Sequence, residues 1–363
     1  MKTVQKTLKS FDLFAFTVSS TISVGIAFLP YVAGEEIRSA WLKVMIGSLP
    51  FFGFLFLLHL FNKRYSTGDF FLELKKRIWK PVYWLIIGYL FISIIYAGGI
   101  VLTGMGAVVN TYLLPNTSQW VYILFFLVVV AVGVYYGLAA IIRFVVLTIV
   151  IEFSILLVII AIGFTEPFRW IYIPPVMDID ISLLLKSTIS DFARYSGLVT
   201  LLGLVVYSKP NQSIIKPTSF GLLFVLIVYT ALSIVVLGTF GFEESLQLIS
   251  PFIALVQTYS TAGGVIERLD LIFLAFWLVL FFKIIIIHIW FLVLMLKKNF
   301  PNVNGKWFIL LICGMLFVLN LFLPPIISDY WRVHNFNTAM YALVLPSVLL
   351  IYLLLRKKGG RQA

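Results

Sequence analysis

What most constrains this chain is a succession of apolar stretches, each of roughly 20 residues, the length an α-helix needs to cross the hydrocarbon of a bilayer. Cutting the sequence at its polar breaks gives ten spans, at approximately 11–33, 40–61, 82–111, 119–137, 142–163, 183–206, 217–240, 269–296, 306–323 and 338–356. Hydrocarbon offers backbone groups no water, so such spans must be helices. Composition agrees, because 61% hydrophobic and 12% charged residues leave too few charges for a water-facing surface. The expectation is an all-α polytopic membrane protein, one integral membrane domain over residues 1–363 with no soluble domain between spans. Lys2, Lys6 and Lys9 precede the first run as in a secretion signal, but the run is too long for one and more spans follow, so it is read as span 1.

Basic residues then set the orientation. With the N-terminus in the cytoplasm, 19 of the 27 Lys and Arg fall on cytoplasmic segments. Six face outward (Arg38, Lys43, Arg169, Lys186, Arg268 and Arg332), while Arg194 and Lys283 fall inside spans. The excess predicts both termini in the cytoplasm. The net charge of +12 is thereby a matter of topology and of attraction to membrane lipid, and calls for no nucleic acid. Cys313 stands alone in an apolar stretch, and His59, His288 and His334 are scattered, so no disulfide, metal or cofactor is expected. An enzyme would need converging nucleophile, base or metal ligands, which these residues do not supply.

Span 1 carries Ser19, Ser20, Thr21, Ser23 and Gly25 in the middle of the run Phe11 to Tyr31. Small polar residues there allow a helix to open where the backbone lines a cavity; equally, they let helices approach closely. Span 6 places Asp191, Phe192, Arg194, Tyr195, Ser196 and Gly197 at mid-depth, where ionisable groups cost roughly 2.5–3.5 kcal/mol each on insertion scales. Asp191 and Arg194, three residues apart, are read either as a ligand site or as a mutually neutral pair. Two interrupted spans five apart fit an inverted repeat of five plus five helices, with halves at approximately 11–163 and 183–356. In that architecture broken helices 1 and 6 meet near the midplane around a small solute, their freed amides attracting a carboxylate and their freed carbonyls an ammonium.

Three further features belong to this reading. On span 3, Tyr96 and Thr103 lie two turns apart on one face among several glycines, pointing either at the central site or at a close crossing. With Phe192, Tyr195 and Trp277, Tyr96 would bound a cavity suited to an apolar or aromatic amino acid. Glu152 and Lys283, halfway along spans 5 and 8, both flank span 1; they are read as an ion pair in which Lys283 fills the space of a coupling sodium, or as a purely structural bridge. Between spans 7 and 8, Ser250-Pro251 followed by Phe252, Leu255, Val256 and Tyr259 predicts a short helix over the outer mouth.

The run IERLDLIFLAFWLVLFF, Ile266 to Phe282, resembles a span of the B subunit of GerA-type spore germinant receptors, the endospore germination permeases of the amino acid-polyamine-organocation superfamily. The likeness extends over the whole chain, with SVGIAFLP at Ser23 to Pro30, the Gly197 region before a basic loop, and Glu267-Arg268 with Trp277 in the same order. It implies a LeuT-like fold and a nutrient-sensing subunit in the spore inner membrane, beside an A subunit and a C lipoprotein. The ligand would be an amino acid, or else a sugar or nucleoside, and its binding would release ions and dipicolinate. By matching position, Ser23, Val24, Gly25 and Ile26 form the span 1 break, and Tyr195, Ser196 and Gly197 the span 6 break. Ser23 departs from the first glycine of the superfamily's G-x-G, and Val199 stands where relatives carry an acidic residue. Arg194 and Asp191 are this chain's own additions, with a ligand carboxylate expected at Arg194. A secondary transporter of amino acids or amines acting alone needs the same site and stays open.

Overall fold

The computed structural model describes residues 8–27, 29, 38–65, 68–165, 168–173, 180–209, 212–248, 250–260, 269–323 and 331–356. Its helices are α1 (Ser10–Ala27), α2 (Ala40–Arg64), α3 (Phe70–Arg77), α4 (Lys80–Tyr112), α5 (Gln119–Tyr136), α6 (Leu138–Gly163) and α7 (Ile181–Tyr195). They continue with α8 (Leu201–Leu204), α9 (Ile215–Gln247), α10 (Pro251–Ser260), α11 (Leu269–Asn299), α12 (Gly305–Phe322), α13 (Trp331–Ala339) and α14 (Leu345–Leu355). Among the described residues nine helices or helical runs are long and apolar enough to cross a membrane. Ten were expected; α1 is not among the nine, and the residues that would complete its crossing lie outside the described set.

Local chemistry sets the helix ends. Asp69 caps α3 by accepting from Leu72 N, Asp180 caps α7 by accepting from Ser182 N and Leu183 N, and Asn304 caps α12 by accepting from Lys306 N. Gly137, at φ 82°, turns the chain between α5 and α6 in a single residue, so span 5 starts at Leu138 rather than 142 and Arg143 lies within α6, exposed. Gly241, at φ 73°, kinks α9 where span 7 was expected to end. Span 10 begins earlier than its hydropathy indicates, at Trp331, and passes through a π-turn at Met340–Val344. Pro346, just beyond, has no N–H to complete a regular ladder, and the wider turn absorbs that loss. The short helix expected after Ser250 is α10, with Phe252, Leu255 and Val256 buried.

Packing gathers the helices into two sets, joined by a close contact of α1 with α11. α1, α2, α7 and α9 pack on one another, and α4, α5, α11 and α12 form a second set. α6 runs between the groups, touching α1, α5, α9 and α11; α13 and α14 do the same on the other side through α4, α7 and α2. Each group draws two helices from each half of the chain, the arrangement that a five-plus-five repeat requires. Both described ends of the chain meet at one end of the bundle, where Leu8 N donates to Tyr207 O (3.0 Å) and Arg64 binds the carbonyls of Leu354 and Arg356. Lys43, counted among the outward-side charges, lies in the first turn of α2 with its side chain wholly buried.

Candidate ligand site

The expected interruption of helix 6 is present. α7 ends at Tyr195, whose backbone sits at φ −104°, ψ 1°, and the chain tightens into a 3-10 turn over Ser196–Thr200 before α8. Helix 1 behaves differently. α1 stays helical through Ser19, Ser20, Thr21, Ser23, Val24 and Gly25 to Ala27. Its hydroxyls explain why: Thr17 donates to Leu13 O (2.7 Å), Ser20 to Thr17 O (3.0 Å) and Thr21 to Thr17 O (2.9 Å), closing local bonds instead of opening the ladder. Ile26 is buried at the end of this helix; the side chains of Ser23, Val24 and Gly25 lie outside the described residues.

The two segments nevertheless cross, with Gly197 against Ser20 of α1. Gly197 lies so close to α1 that a Cβ there would overlap the Ser20 carbonyl oxygen, so hydrogen is the only side chain the crossing admits. One turn back along α7, Arg194 Nε donates to Asp191 Oδ1 (2.7 Å), with both side chains wholly buried. Asp191 Oδ2 has no hydrogen-bond partner among the described residues. Gly47 of α2 packs against this pair, and a Cβ on it would come within 2.9 Å of Asp191 Cβ. Tyr195 extends across to α2, its hydroxyl donating to Val44 O (2.9 Å) and its ring 5.6 Å from Phe51. Phe192 meets the same Phe51 edge-on at 5.7 Å. Ser196 closes locally on Ala193 O (2.8 Å).

Tyr229 of α9 is the residue that sequence reasoning missed. Its hydroxyl donates to Thr21 O (2.7 Å), its ring lies 5.9 Å from the Arg194 guanidinium carbon, and Tyr195 stands 6.0 Å away. One side chain thus touches both crossing segments. A buried tyrosine inside an apolar span needs a partner for its hydroxyl, and that need was the available signal. Tyr229→Phe is expected to cost about 1 kcal/mol in thermal unfolding of the purified chain, the net worth of one buried hydrogen bond. An unchanged midpoint would count against the tie to α1.

Other predicted residues lie apart from this crossing. Tyr96 faces α13, its ring 6.1 Å from His334, and Thr103 donates to Asn320 Oδ1 of α12 (3.1 Å). The polar face of α4 continues this way, with Tyr89 (3.0 Å) and Ser93 (2.9 Å) both donating to Asn337 Oδ1. Trp277 is buried on α11 with its ring 5.0 Å from Phe281. A cavity of about 270 Å³ lies elsewhere too, lined by Gln119, Trp120, Ile123, Phe317, Asn320, Leu321 and Leu323. Lys283 donates to Glu152 Oε1 between α11 and α6, both groups buried, and Glu152 Oε2 has no partner among the described residues. α1 packs on both helices. No group of three or more His, Cys, Asp or Glu suited to a metal occurs among the described residues.

What this arrangement belongs to follows from comparison with known proteins. The fold is that of a solved nucleobase-cation-symport-1 family transporter, MHP1, in a closed conformation with bromovinylhydantoin bound. The superposition has a TM-score of 0.62 over 98% of this chain and 82% of the transporter, at 14% identity. By sequence the chain is 26% identical over 303 residues to Spore germination protein A2 of Bacillus subtilis (strain 168), spanning 81% of this chain and 80% of that protein. The family model for spore germination proteins, Spore_permease, matches residues 7–325. A multi-pass helical bundle of transporter fold, with a glycine crossing beside a buried ion pair, is therefore the form this family takes here: the chain belongs to the spore germination protein family of permeases.

Proposed function

We propose that this chain is the nutrient-sensing subunit of a spore germination receptor, binding an amino acid where α1 crosses the 3-10 turn of helix 6. The observation that carries the reading is the Asp191–Arg194 pair, wholly buried beside the Gly197 crossing with Asp191 Oδ2 unsatisfied. A zwitterion suits such a pair, its ammonium bonding Asp191 Oδ2 and its carboxylate meeting Arg194, so that two buried charges gain two charged partners. Tyr195, Ser196 and Gly197 would form the floor, with Ser23, Val24, Gly25 and Ile26 as the opposing wall. Phe192, already packed with Tyr195 on Phe51, would border the pair, and Tyr96, Thr103 and Trp277 would be drawn in by a rearrangement on binding. Glu152 and Lys283 would hold the flank of α1 where a driving ion would otherwise sit.

The setting is the spore inner membrane with both termini on the core side, in a complex with an A subunit and a C lipoprotein. Sugars and nucleosides remain ligand classes for the test. Spores lacking the chain and matched intact spores, exposed singly to amino acids, sugars and nucleosides, are expected to differ in loss of optical density for one nutrient. Arg194→Gln in stably expressed protein is expected to raise the effective concentration of that nutrient by about tenfold or more, the loss of one charge-assisted contact. The fold of a transporter keeps a second reading in view, an amino-acid or amine carrier acting alone. Intact germination with lost solute uptake by growing cells would establish that reading instead.

A further inference from the structure

The geometry points to a binding site for an anionic phospholipid headgroup at the turn from α3 into α4, on the end of the bundle where both described chain ends meet. α3 is amphipathic. Phe70, Phe71 and Leu74 are buried, with Phe71 5.8 Å from Phe291 of α11 and Phe70 6.1 Å from Phe61 of α2. The two carboxylates in residues 69–85 are already engaged: Asp69 receives Lys298, and buried Glu73 receives Arg77, with Lys76 at 3.7 Å. Lys75 and Lys80 are exposed and have no carboxylate partner among the described salt bridges. Arg356, at the end of α14, joins them by donating to Arg77 O, which also accepts from Tyr352 (3.1 Å).

The level in the membrane is marked by what surrounds these cations. Trp79, 74% exposed, sits between Lys76 and Lys80. Immediately beyond it, Leu85 at 73% and Leu355 at 79% exposure present apolar faces that need acyl chains as neighbours. Indole at a water-hydrocarbon boundary with lysines above and leucines below matches a phosphodiester headgroup and its chains in charge and in polarity. A headgroup seated there would steady the Arg77 turn, to which α14 is tied, and through Asp69 the inner end of α11.

The test uses the full chain reconstituted in phosphatidylcholine bilayers with increasing phosphatidylglycerol, following the unfolding midpoint. Wild type is expected to be stabilised by phosphatidylglycerol over phosphatidylcholine. Each lysine near the surface contributes about a fivefold preference, so Lys75→Gln, Lys76→Gln, Lys80→Gln together should weaken the response about 100-fold. Lys306→Gln, a charge removed elsewhere on the same end, should leave it within about twofold. Trp79→Phe should remove most of the fluorescence change that accompanies phosphatidylglycerol addition. If the triple variant unfolds in pure phosphatidylcholine, Lys80→Gln alone replaces it, with about a fivefold loss expected. Equal stabilisation by both lipids, or a triple variant that responds as wild type does, overturns the site. So does Lys306→Gln matching Lys80→Gln, which would mark a diffuse surface potential, or millimolar inorganic phosphate reproducing the shift, which would mark a soluble ligand.

Discussion

Gly197→Ala is expected to be the most damaging alanine substitution among the described glycines, lowering stability by about 3 kcal/mol or more, at or above the top of the usual overpacking range. The added carbon meets the backbone carbonyl of Ser20 rather than the end of a flexible side chain, so relief requires moving all of α1 against its neighbours α9, α11 and α6. Gly53 supplies the control, because a Cβ there meets nothing within 4 Å and α2 gains helix propensity from alanine. Thermal unfolding of both variants in one detergent should separate them widely. Coincident midpoints would mean that the two segments do not cross as described.

The second large effect is at the Glu152–Lys283 pair. Removing one partner, as in Lys283→Met, leaves a buried charge uncompensated and is expected to cost about 3–5 kcal/mol, whereas Glu152→Leu with Lys283→Met should be near neutral or stabilising. Glu152 is bound only through Oε1, by Lys283, so the loss of Lys283 leaves both carboxylate oxygens without a partner among the described residues. The double variant also separates roles. If stability and the germination response both return, the pair is a structural bridge between α6 and α11. If stability returns and the response does not, the pair takes part in sensing. A single Lys283→Met variant that melts with wild type would overturn the energetic account.

Several features were legible along the chain because they depend on neighbours in sequence. Span limits follow from apolar length, and α4, α5, α12 and the C-terminal ends of α2 and α11 fall within a few residues of where hydropathy places them. The helix after Ser250-Pro251 starts from local chemistry, whereas the caps at Asp69, Asp180 and Asn304, equally local, emerged only with the structure. The interruption at Ser196 was readable because a glycine and two ionisable groups in mid-span are costly to place in an unbroken helix surrounded by hydrocarbon. Helix 1 shows the limit of that logic. Its serines and threonines carry the same composition whether they open a helix or bond back to its carbonyls, and Thr17, Ser20 and Thr21 do the latter.

What the sequence by itself determined, then, is the membrane class, the order of the apolar segments, and which polar groups must be buried in them. Hydrocarbon imposes these on any chain of this composition, before any helix meets another. Only the tertiary structure decided the partners. It set Gly197 on Ser20 O, Tyr229 on Thr21 O and Lys283 on Glu152, and it turned Tyr96 and Thr103 toward α13 and α12. The reason is geometric. Spacing of 3.6 residues per turn says which side chains share a face, but the helix that face meets depends on how all the bundle's surfaces fill space together.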